Sequence, residues 1–221
     1  MNTKRILICL IAAVALSSSF AFAQTGQSDK VQLFAKGGLG YGFADNLFRG
    51  VIAVSGGAYA DIAITNPIVL QTGLEVKTNG YGMNTEYSGL SGSSSDFYEI
   101  YHYHFAFVSV PVLAKLYFQD RPDDGLNGIY LGFGLNFPLG GSANWKRYKT
   151  GLKSKSVDAS GSSTIDASNL KSPVVSFRFG FDQRINNKWG LFFDCEMPSI
   201  AKKSGSAKVY SVATLGAIYY L

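Results

Sequence analysis

The sequence predicts an all-β protein in which eight antiparallel strands close into an up-and-down transmembrane β-barrel. Only 16% of the 221 residues are charged, whereas about 25% is usual in a soluble domain. Glycine, tyrosine and phenylalanine are abundant, at 25, 13 and 16 residues. After the N-terminal segment, however, no apolar run approaches the ~18–20 residues that a membrane helix needs. This combination favours β-structure that crosses a membrane.

The clearest strand signal is the run from Ile129 to Pro138, in which large apolar residues alternate with small or polar ones. One face would carry Ile129, Leu131, Phe133, Leu135 and Phe137, and the other Tyr130, Gly132, Gly134, Asn136 and Pro138. Successive side chains of a strand point to opposite faces. We therefore expect the apolar face to contact lipid and the small, polar face to line a barrel interior.

Residues 1–23 are expected to be a signal peptide, so that residues 24–221 form the outer-membrane barrel domain. A basic start precedes the apolar run Ile6–Leu16, and the tripeptide Ala21–Ala23 has the small-x-small pattern of a cleavage site. Cleavage removes two of the 20 basic residues, which leaves 18 against 15 acidic residues and lowers the net charge from +5 to +3. That charge is too small to indicate nucleic-acid binding.

The first three strands are expected near Val31–Phe43, Gly50–Ile64 and Ile68–Gly80. In each of them, apolar residues alternate with glycine, polar or charged residues, as in a strand whose two faces meet different environments. A tight turn at Thr65–Pro67 joins the second strand to the third. The polar, glycine- and serine-rich segment from Tyr81 to about Asp96 is then expected to be irregular.

The fourth strand is expected to run through Phe118, with a bulge or a missing ladder bond at Pro111, because proline has no N–H to donate. A short turn leads into the fifth strand, which ends near Gly140. The segment Gly141–Lys171 is expected to be the longest irregular connection. Three further strands are expected near Ser172–Ile185, Trp189–Pro198 and Lys208–Leu221.

The connections between these strands alternate in length, and every second one is short. Alternate connections of an up-and-down barrel lie at opposite ends. Outer-membrane barrels keep short turns on the periplasmic side and long loops outside the cell. We therefore expect a bacterial outer-membrane protein with both termini in the periplasm.

Nine charged residues fall on the parity opposite the apolar faces and are expected to form an interior ion-pair network. They are Lys36, Asp61, Glu75, Lys77, Lys115, Arg178, Asp182, Asp194 and Glu196. Facing lipid, a cation near the midplane would cost ~2–4 kcal/mol, whereas inside a small barrel opposite charges can pair. Since an eight-stranded barrel is just wide enough for side chains to fill, we expect a plugged interior without an open channel.

Two runs within Val108–Gly140 form a recognisable pair: VSVPVLAKLYF and, after a short turn, IYLGFGLNFPLG. The pair resembles the PorT-like outer-membrane β-barrel family, a group of small barrels of the OmpA and OmpX type. The run QTGLEVKTNG at Gln71–Gly80 is similar to the preceding strand of such proteins. The resemblance implies an integral outer-membrane barrel, with no agreed activity for the family as a whole. Such barrels often end in an aromatic residue, whereas this chain ends in Leu221.

His102 and His104, the only histidines, share one face of a strand. We interpret them as half-buried members of an outer aromatic rim with Tyr98, Tyr101 and Tyr103, since tyrosine is enriched at membrane interfaces. The alternative is a catalytic histidine or a metal pair, but no third ligand or triad spacing is evident. No catalytic residue, metal or cofactor is therefore assigned.

Candidates for binding through the longest loop are Trp145, Lys146, Arg147 and Lys149. The basic cluster Lys146–Lys155 could contact anionic lipopolysaccharide or form a solvated loop, and both interpretations stay open. Cys195 is the lone cysteine of the mature chain and is interpreted as a small apolar residue of its strand.

The predicted function is that of a non-enzymatic, monomeric outer-membrane barrel with a side-chain-filled interior. Its expected contacts are outer-membrane lipid and a surface or envelope protein held by the extracellular loops, since loops on a rigid scaffold often carry function. No nucleic-acid partner is expected. Two alternatives stay open: an outer-leaflet lipid-modifying enzyme that uses His102 or His104, and a soluble ligand-binding barrel in the periplasm.

Overall fold

The structure is a computed structural model that describes residues 31–44, 50–87, 96–118, 127–151, 154–201 and 207–221. The expected signal peptide and the connection between the fourth and fifth strands lie outside these residues. The strands are β1 Val31–Phe43, β2 Val51–Thr65, β3 Ile68–Tyr87, β4 Asp96–Tyr117, β5 Asn127–Gly151, β6 Ser154–Ile165, β7 Val174–Arg184, β8 Trp189–Ala201, β9 Ala207–Val209 and β10 Ser211–Tyr220. A short 3-10 turn at Ala167–Asn169 precedes β7.

Eight of the strands close into a ring in which every neighbouring pair is antiparallel. The order around the ring is β1, β2, β3, β4, β5, β7, β8 and β10. The ring closes because β10 pairs on one side with β1, as at Gly216 and Gly38, and on the other with β8, as at Leu215 and Phe193. β6 and β9 lie outside the ring on β5 and β8. The predicted eight-stranded up-and-down barrel is confirmed.

The outward faces of the ring form a continuous apolar band. On β5 the exposed side chains alternate from Ile129 to Leu139, and on β4 the outward face is apolar from Leu116 to Ala106. These stretches match the about 9–11 residues that a tilted transmembrane strand needs. Large apolar side chains of β7 and β8, such as Phe179, continue the band. The fold is therefore that of a transmembrane barrel.

Among the described residues, no helix is long and apolar enough to span a membrane.

Four strands continue beyond the apolar band as one antiparallel sheet, which we call the blade. It comprises residues 80–87 of β3, 96–104 of β4, 140–151 of β5 and all of β6. The β3–β4 ladder extends to the pair Tyr87 and Phe97, and the β5–β6 ladder to Gly151 and Ser154. The opposite end of the barrel, which we call the turn end, holds the tight turn between β2 and β3 and the turn between β7 and β8.

The prediction of an irregular segment is wrong for residues 81–87, which continue β3, and for 141–171, most of which is strand, whereas residues 88–95 lie outside the described residues. On β5 the alternation is interrupted by a bulge, where Pro138 pairs with Phe107 but Gly140 pairs with Ala106. The extra residue, Leu139, switches the inward parity from even to odd numbers. Gly140 adopts a φ of +124° at this point. A single period-2 pattern therefore stops at the bulge although the strand continues.

Two smaller expectations concern Pro111 and the last strand. The β3–β4 ladder keeps one register on both sides of Pro111, but the pairs at Val110 and Pro111 are missing, as the lost N–H predicts. The last strand is interrupted at Tyr210, which separates β9 from β10. The expected single strand Lys208–Leu221 is therefore two strands, and the Tyr210 side chain between them is buried, with 2% exposed.

Candidate functional site

The barrel interior near the turn end holds a cluster of two lysines and two aspartates. Lys115 Nζ lies 2.9 Å from Asp61 Oδ2 and 2.6 Å from Asp182 Oδ2, and Lys36 Nζ lies 2.9 Å from Asp182 Oδ1. Gln71 links the two halves, since its Nε2 donates to Asp61 and its Oε1 accepts from Lys36. The charges balance and all four ionic groups are buried. The several hydrogen bonds that each group makes offset the free-energy cost of removing it from water.

The middle of the interior holds a second cluster around Arg178. Its two terminal nitrogens donate to Glu75 Oε2 at 2.7 Å and to Asp194 Oδ2 at 2.6 Å. Lys77 Nζ donates to Glu196 Oε1 at 2.6 Å, and Glu196 also accepts from Asn136 and Ser176. Each cation thus joins strands that are far apart in sequence.

An apolar plug lies above these clusters, at the base of the blade. Its buried members are Ala53, Tyr81, Phe105, Phe107, Ala143, Ile165, Leu170, Val174, Ile200, Tyr210 and Val212. Leu170 follows the 3-10 turn and is 2% exposed. The Tyr210 hydroxyl donates to Asn79 Oδ1 at 2.6 Å, which connects the plug to the polar interior. The described part of the barrel interior is therefore filled by side chains from the turn end to the blade.

The structure places all nine charged residues predicted from parity in the interior and divides them between the two clusters. The sequence did not identify Gln71, Asn136, Ser176 or Tyr210, which add hydrogen bonds to the interior network. Their inward parity was available in the sequence. Their hydrogen-bond partners could not be predicted from the sequence, because the closed ring alone defines which residues surround an inward-facing polar side chain.

The inner face of the blade carries a charged and aromatic group that the sequence only partly indicated. Arg147 Nη2 lies 2.7 Å from Glu99 Oε1, and the Tyr101 hydroxyl donates to Glu99 Oε2 at 2.6 Å. The Arg147 guanidinium also lies 5.9 Å from the ring centroid of Trp145, within range of a cation–π contact. The Tyr101 hydrogen bond, with the Arg147 hydrogen bonds and charge, holds the pKa of Glu99 below its ordinary value.

Aromatic rings follow the inner face of β4 from the plug toward the end of the blade. The ring centroids of Tyr101 and Tyr103 are 6.0 Å apart, those of Tyr103 and Phe105 6.3 Å, and those of Tyr103 and Tyr81 5.0 Å. Trp145 lies against Gly161 of the neighbouring strand, where a Cβ would come within 2.7 Å of the indole nitrogen. Glycine at this position leaves room for the indole ring.

The expected aromatic rim needs a correction. Tyr101 and Tyr103 lie on the inward face of β4, where Tyr103 packs on the plug, whereas His102 and His104 lie on the outward face. Odd and even residues of one strand point to opposite sides, so tyrosines and histidines cannot form one belt. The side chain of Tyr98 lies outside the described residues.

The basic residues of the expected loop lie on different faces of the blade. Lys146 is exposed on the outward face, and Arg147 lies on the inner face with 43% of its side chain exposed. The side chain of Lys149 lies outside the described residues. Cys195 is half-buried on the outward parity of β8. Among the described residues, no group of three histidine, cysteine or acidic side chains is placed to hold a metal ion.

Comparison with known proteins gives the family. The family model described as outer membrane protein beta-barrel domain matches residues 22–198. No curated protein matches the chain. Among solved structures, Ail of Yersinia pestis has 10% identity and a TM-score of 0.34, and covers 87% of this chain and 98% of its own.

Two further structures are similar at the same level. Neisserial surface protein A has 10% identity and a TM-score of 0.38, covering 86% of this chain and 96% of its own. The N-terminal β-barrel domain of OprF from Pseudomonas aeruginosa has 10% identity and a TM-score of 0.36, covering 87% and 98%. The family match spans most of the sequence, and the chain therefore belongs to the outer membrane protein beta-barrel domain family of the bacterial outer membrane.

Proposed function

We propose that the protein is a non-enzymatic, monomeric barrel that anchors the blade in the outer membrane and presents it outside the cell to a surface or envelope protein. The observation that carries this function is the inner face of the blade, where Trp145, Tyr101 and Arg147 lie together, partly exposed, above a filled interior. Tryptophan, tyrosine and arginine are the residues most enriched at binding hot spots. The resemblance to PorT-like barrels is retained within this proposal.

Photo-crosslinking in living cells tests the binding face. A benzophenone amino acid at Trp145 is expected to form a covalent adduct with one specific protein, and Arg147→Ala in the same chain is expected to weaken that adduct. The control places the same probe at Phe133, which faces lipid and is 57% exposed. If the two positions give the same protein adducts, or Trp145 gives none, the proposed binding face is wrong.

The proposed orientation places both termini and the turn end in the periplasm. Its support is the alternation of short and long connections, with the blade at the end of the long ones. In a Cys195→Ser background, a membrane-impermeant maleimide is expected to label Ser160→Cys in intact cells. Lys188→Cys, in the β7–β8 turn, is expected to react only after the outer membrane is permeabilised. The reverse pattern would refute the orientation.

The filled interior supports the proposal that the barrel does not conduct. Two ion-pair clusters and the plug occupy the described interior along its length. Reconstitution into a planar bilayer is expected to give no stable conductance steps. Regular ohmic steps, at a frequency that scales with the amount of protein, would contradict a closed interior.

Of the two alternatives, the soluble periplasmic barrel is overturned by the apolar band and the family match. A lipid-modifying enzyme keeps one supporting observation, because His102 and His104 lie on the outward face just beyond the band. We expect the double substitution His102→Ala and His104→Ala to leave lipid A acylation in cells unchanged. Loss of an acylated species would replace the proposed function by an enzymatic one.

A further inference from the structure

The outward face of the blade, where it leaves the apolar band, carries a compact group of hydrogen-bond donors. His102 and His104 are two residues apart on β4, which separates them by about 7 Å along the strand. In the cross-strand register, His104 lies opposite Ser142 and His102 opposite Asn144. Burial and the neighbouring His102 both lower the pKa of His104.

The same rows continue across the blade onto β6, and a cation lies one row further along β5. Ser142 pairs with Thr164 and Asn144 pairs with Ser162, and all four side chains are at least partly exposed. One row further from the membrane, Lys146 is exposed and lies opposite Ile100 of β4. Imidazole, hydroxyl, amide and ammonium groups can all donate to phosphate oxygens.

The neighbours on β3 leave this group open. Gly80 pairs with His104 and Gly82 pairs with His102, and neither glycine has a side chain that could cover an imidazole. Of the outward neighbours named above, Asn144, Ser142, Ser162 and Thr164 are uncharged, and Lys146 is cationic. The local charge is therefore suited to an anion.

The position of the group identifies which anion it would meet. The outward face of β4 is apolar as far as Ala106 and becomes polar at His104. A barrel surface that changes in this way lies at the level where acyl chains give way to lipid headgroups. The group thus continues the lipid-facing surface into the headgroup layer, and the outer leaflet carries phosphorylated lipopolysaccharide there.

We propose that His102, His104 and Lys146, with the flanking hydroxyl and amide side chains, bind phosphate groups of lipopolysaccharide in the outer leaflet. This site lies on the face of the blade opposite Trp145 and Arg147. One barrel would therefore bind lipid on the outward face of the blade and a protein on its inner face. The inference rests on the proposed function only for the orientation that places the blade in the outer leaflet.

The test compares lipids that differ only in phosphate. The mature protein is placed in phosphatidylcholine nanodiscs containing either bisphosphorylated or dephosphorylated lipid A, and bound lipid is counted by native mass spectrometry. The wild-type protein is expected to retain the phosphorylated form preferentially. The triple variant H102Q/H104Q/K146Q is expected to reduce that retention roughly five- to tenfold, because contacts with an ammonium and two imidazole donors are lost.

The control variant is K188Q, which removes an exposed cation from the turn end and is expected to change retention less than twofold. Heat-dependent gel migration verifies that each variant is folded, and K146E alone offers a second variant with one changed residue. Equal retention of both lipid forms by the wild type, or unchanged retention in the triple variant and in K146E, would overturn the site. Since both leaflets of a nanodisc carry the lipid, this result is independent of the orientation and protein-binding experiments.

Discussion

The guanidinium of Arg178 bridges two buried carboxylates, Glu75 on β3 and Asp194 on β8. Replacement by methionine keeps much of the volume but removes the cation that lies nearest to both buried anions, and only Glu75 keeps a lysine, Lys77, at 3.8 Å. Breaking a buried ion pair from one side costs about 3–5 kcal/mol. We expect Arg178→Met to lower the free energy of unfolding by that amount, measured by urea titration in lipid vesicles.

The matched control for that prediction is Lys188→Met, which removes a cation from an exposed turn. A surface change of this kind is expected to stay within about 0.5 kcal/mol. Equal losses of stability in the two variants would mean that the interior network contributes no more than a solvated charge. The interior charges would then be tolerated rather than stabilising.

The ionisation of the Glu99 carboxyl makes the stability of the blade depend on pH. Its pKa lies below the ordinary value of 4.5, first because Tyr101 donates a hydrogen bond and then because Arg147 is adjacent. A lowered folded-state pKa means that this stabilisation is complete above pH 4.5 and is lost as the pH falls through the folded-state value. We expect Tyr101→Phe to raise the pKa of Glu99 toward 4.5, so that the stabilisation is smaller and its loss on acidification ends at a higher pH.

An NMR titration of the carboxyl-labelled protein in micelles measures this shift. Tyr219→Phe, on the lipid-facing side of β10, provides the control and should leave the Glu99 titration unchanged. An unaltered Glu99 pKa in Tyr101→Phe would show that Arg147 alone sets it.

At the scale of elements, the bulge at Gly140 sets the geometry of the blade. Its φ of +124° is a region that side chains with a Cβ avoid, and an added Cβ would lie 3.3 Å from the Ile165 carbonyl oxygen. We expect Gly140→Ala to destabilise the protein by about 1–2 kcal/mol. Unfolding can be followed by the fluorescence of its two tryptophans.

Gly56 on β2 is the matched position for this comparison. A Cβ there would lie 3.8 Å from the nearest atom outside its immediate neighbours, the Lys36 carbonyl oxygen, with no unusual φ. Gly56→Ala is therefore expected to be neutral or to stabilise by about 0.4–1 kcal/mol. If both alanine variants behave alike, the bulge does not require glycine.

The blade also shows how far periodicity predicts an element. Within the apolar band, alternation of large and small residues placed the strands of the ring correctly. Beyond it, the described side chains of β6 between Val157 and Thr164 are partly or fully exposed on both faces, and serine is the most frequent residue. The contrast between an apolar and a polar face, on which the prediction of strands depends, is therefore absent from β6. As a result, a regular strand has the composition of a loop.

At the scale of the whole molecule, the apolar band determines how the barrel sits in the membrane. Phe133 lies within the band on β5, whereas Asn144 lies on the same side of the sheet beyond it. An arginine facing lipid costs about 2–4 kcal/mol near the midplane and about 0–1 near the interface. We expect Phe133→Arg to lose the larger amount and Asn144→Arg the smaller, measured by unfolding in vesicles.

The difference between these two variants tests the assigned membrane level directly. Similar large costs at both positions would move the blade base into the hydrocarbon region. The proposed phosphate site would then lie at the wrong depth. A similar small cost at both would place Phe133 outside the membrane, which the band does not allow.

Several properties of this protein follow from the sequence alone. The two faces of each strand of the ring follow from a local period of two, so parity placed Lys115, Arg178 and seven other charged residues inside and the apolar band outside. The number of strands in the ring and their antiparallel order followed from the same pattern and from the lengths of the connections.

Only the closed tertiary structure decided which interior groups meet. Arg178 pairs with Glu75, 103 residues away, and Lys77 with Glu196, 119 residues away. Such pairings depend on the stagger between strands that come together only when the ring closes. The local alternation of residues along one strand does not specify this stagger. The plug at Leu170 and Tyr210 has the same origin, because its members come from several strands of the ring. The change of facing at Gly140 depends instead on the register between β4 and β5.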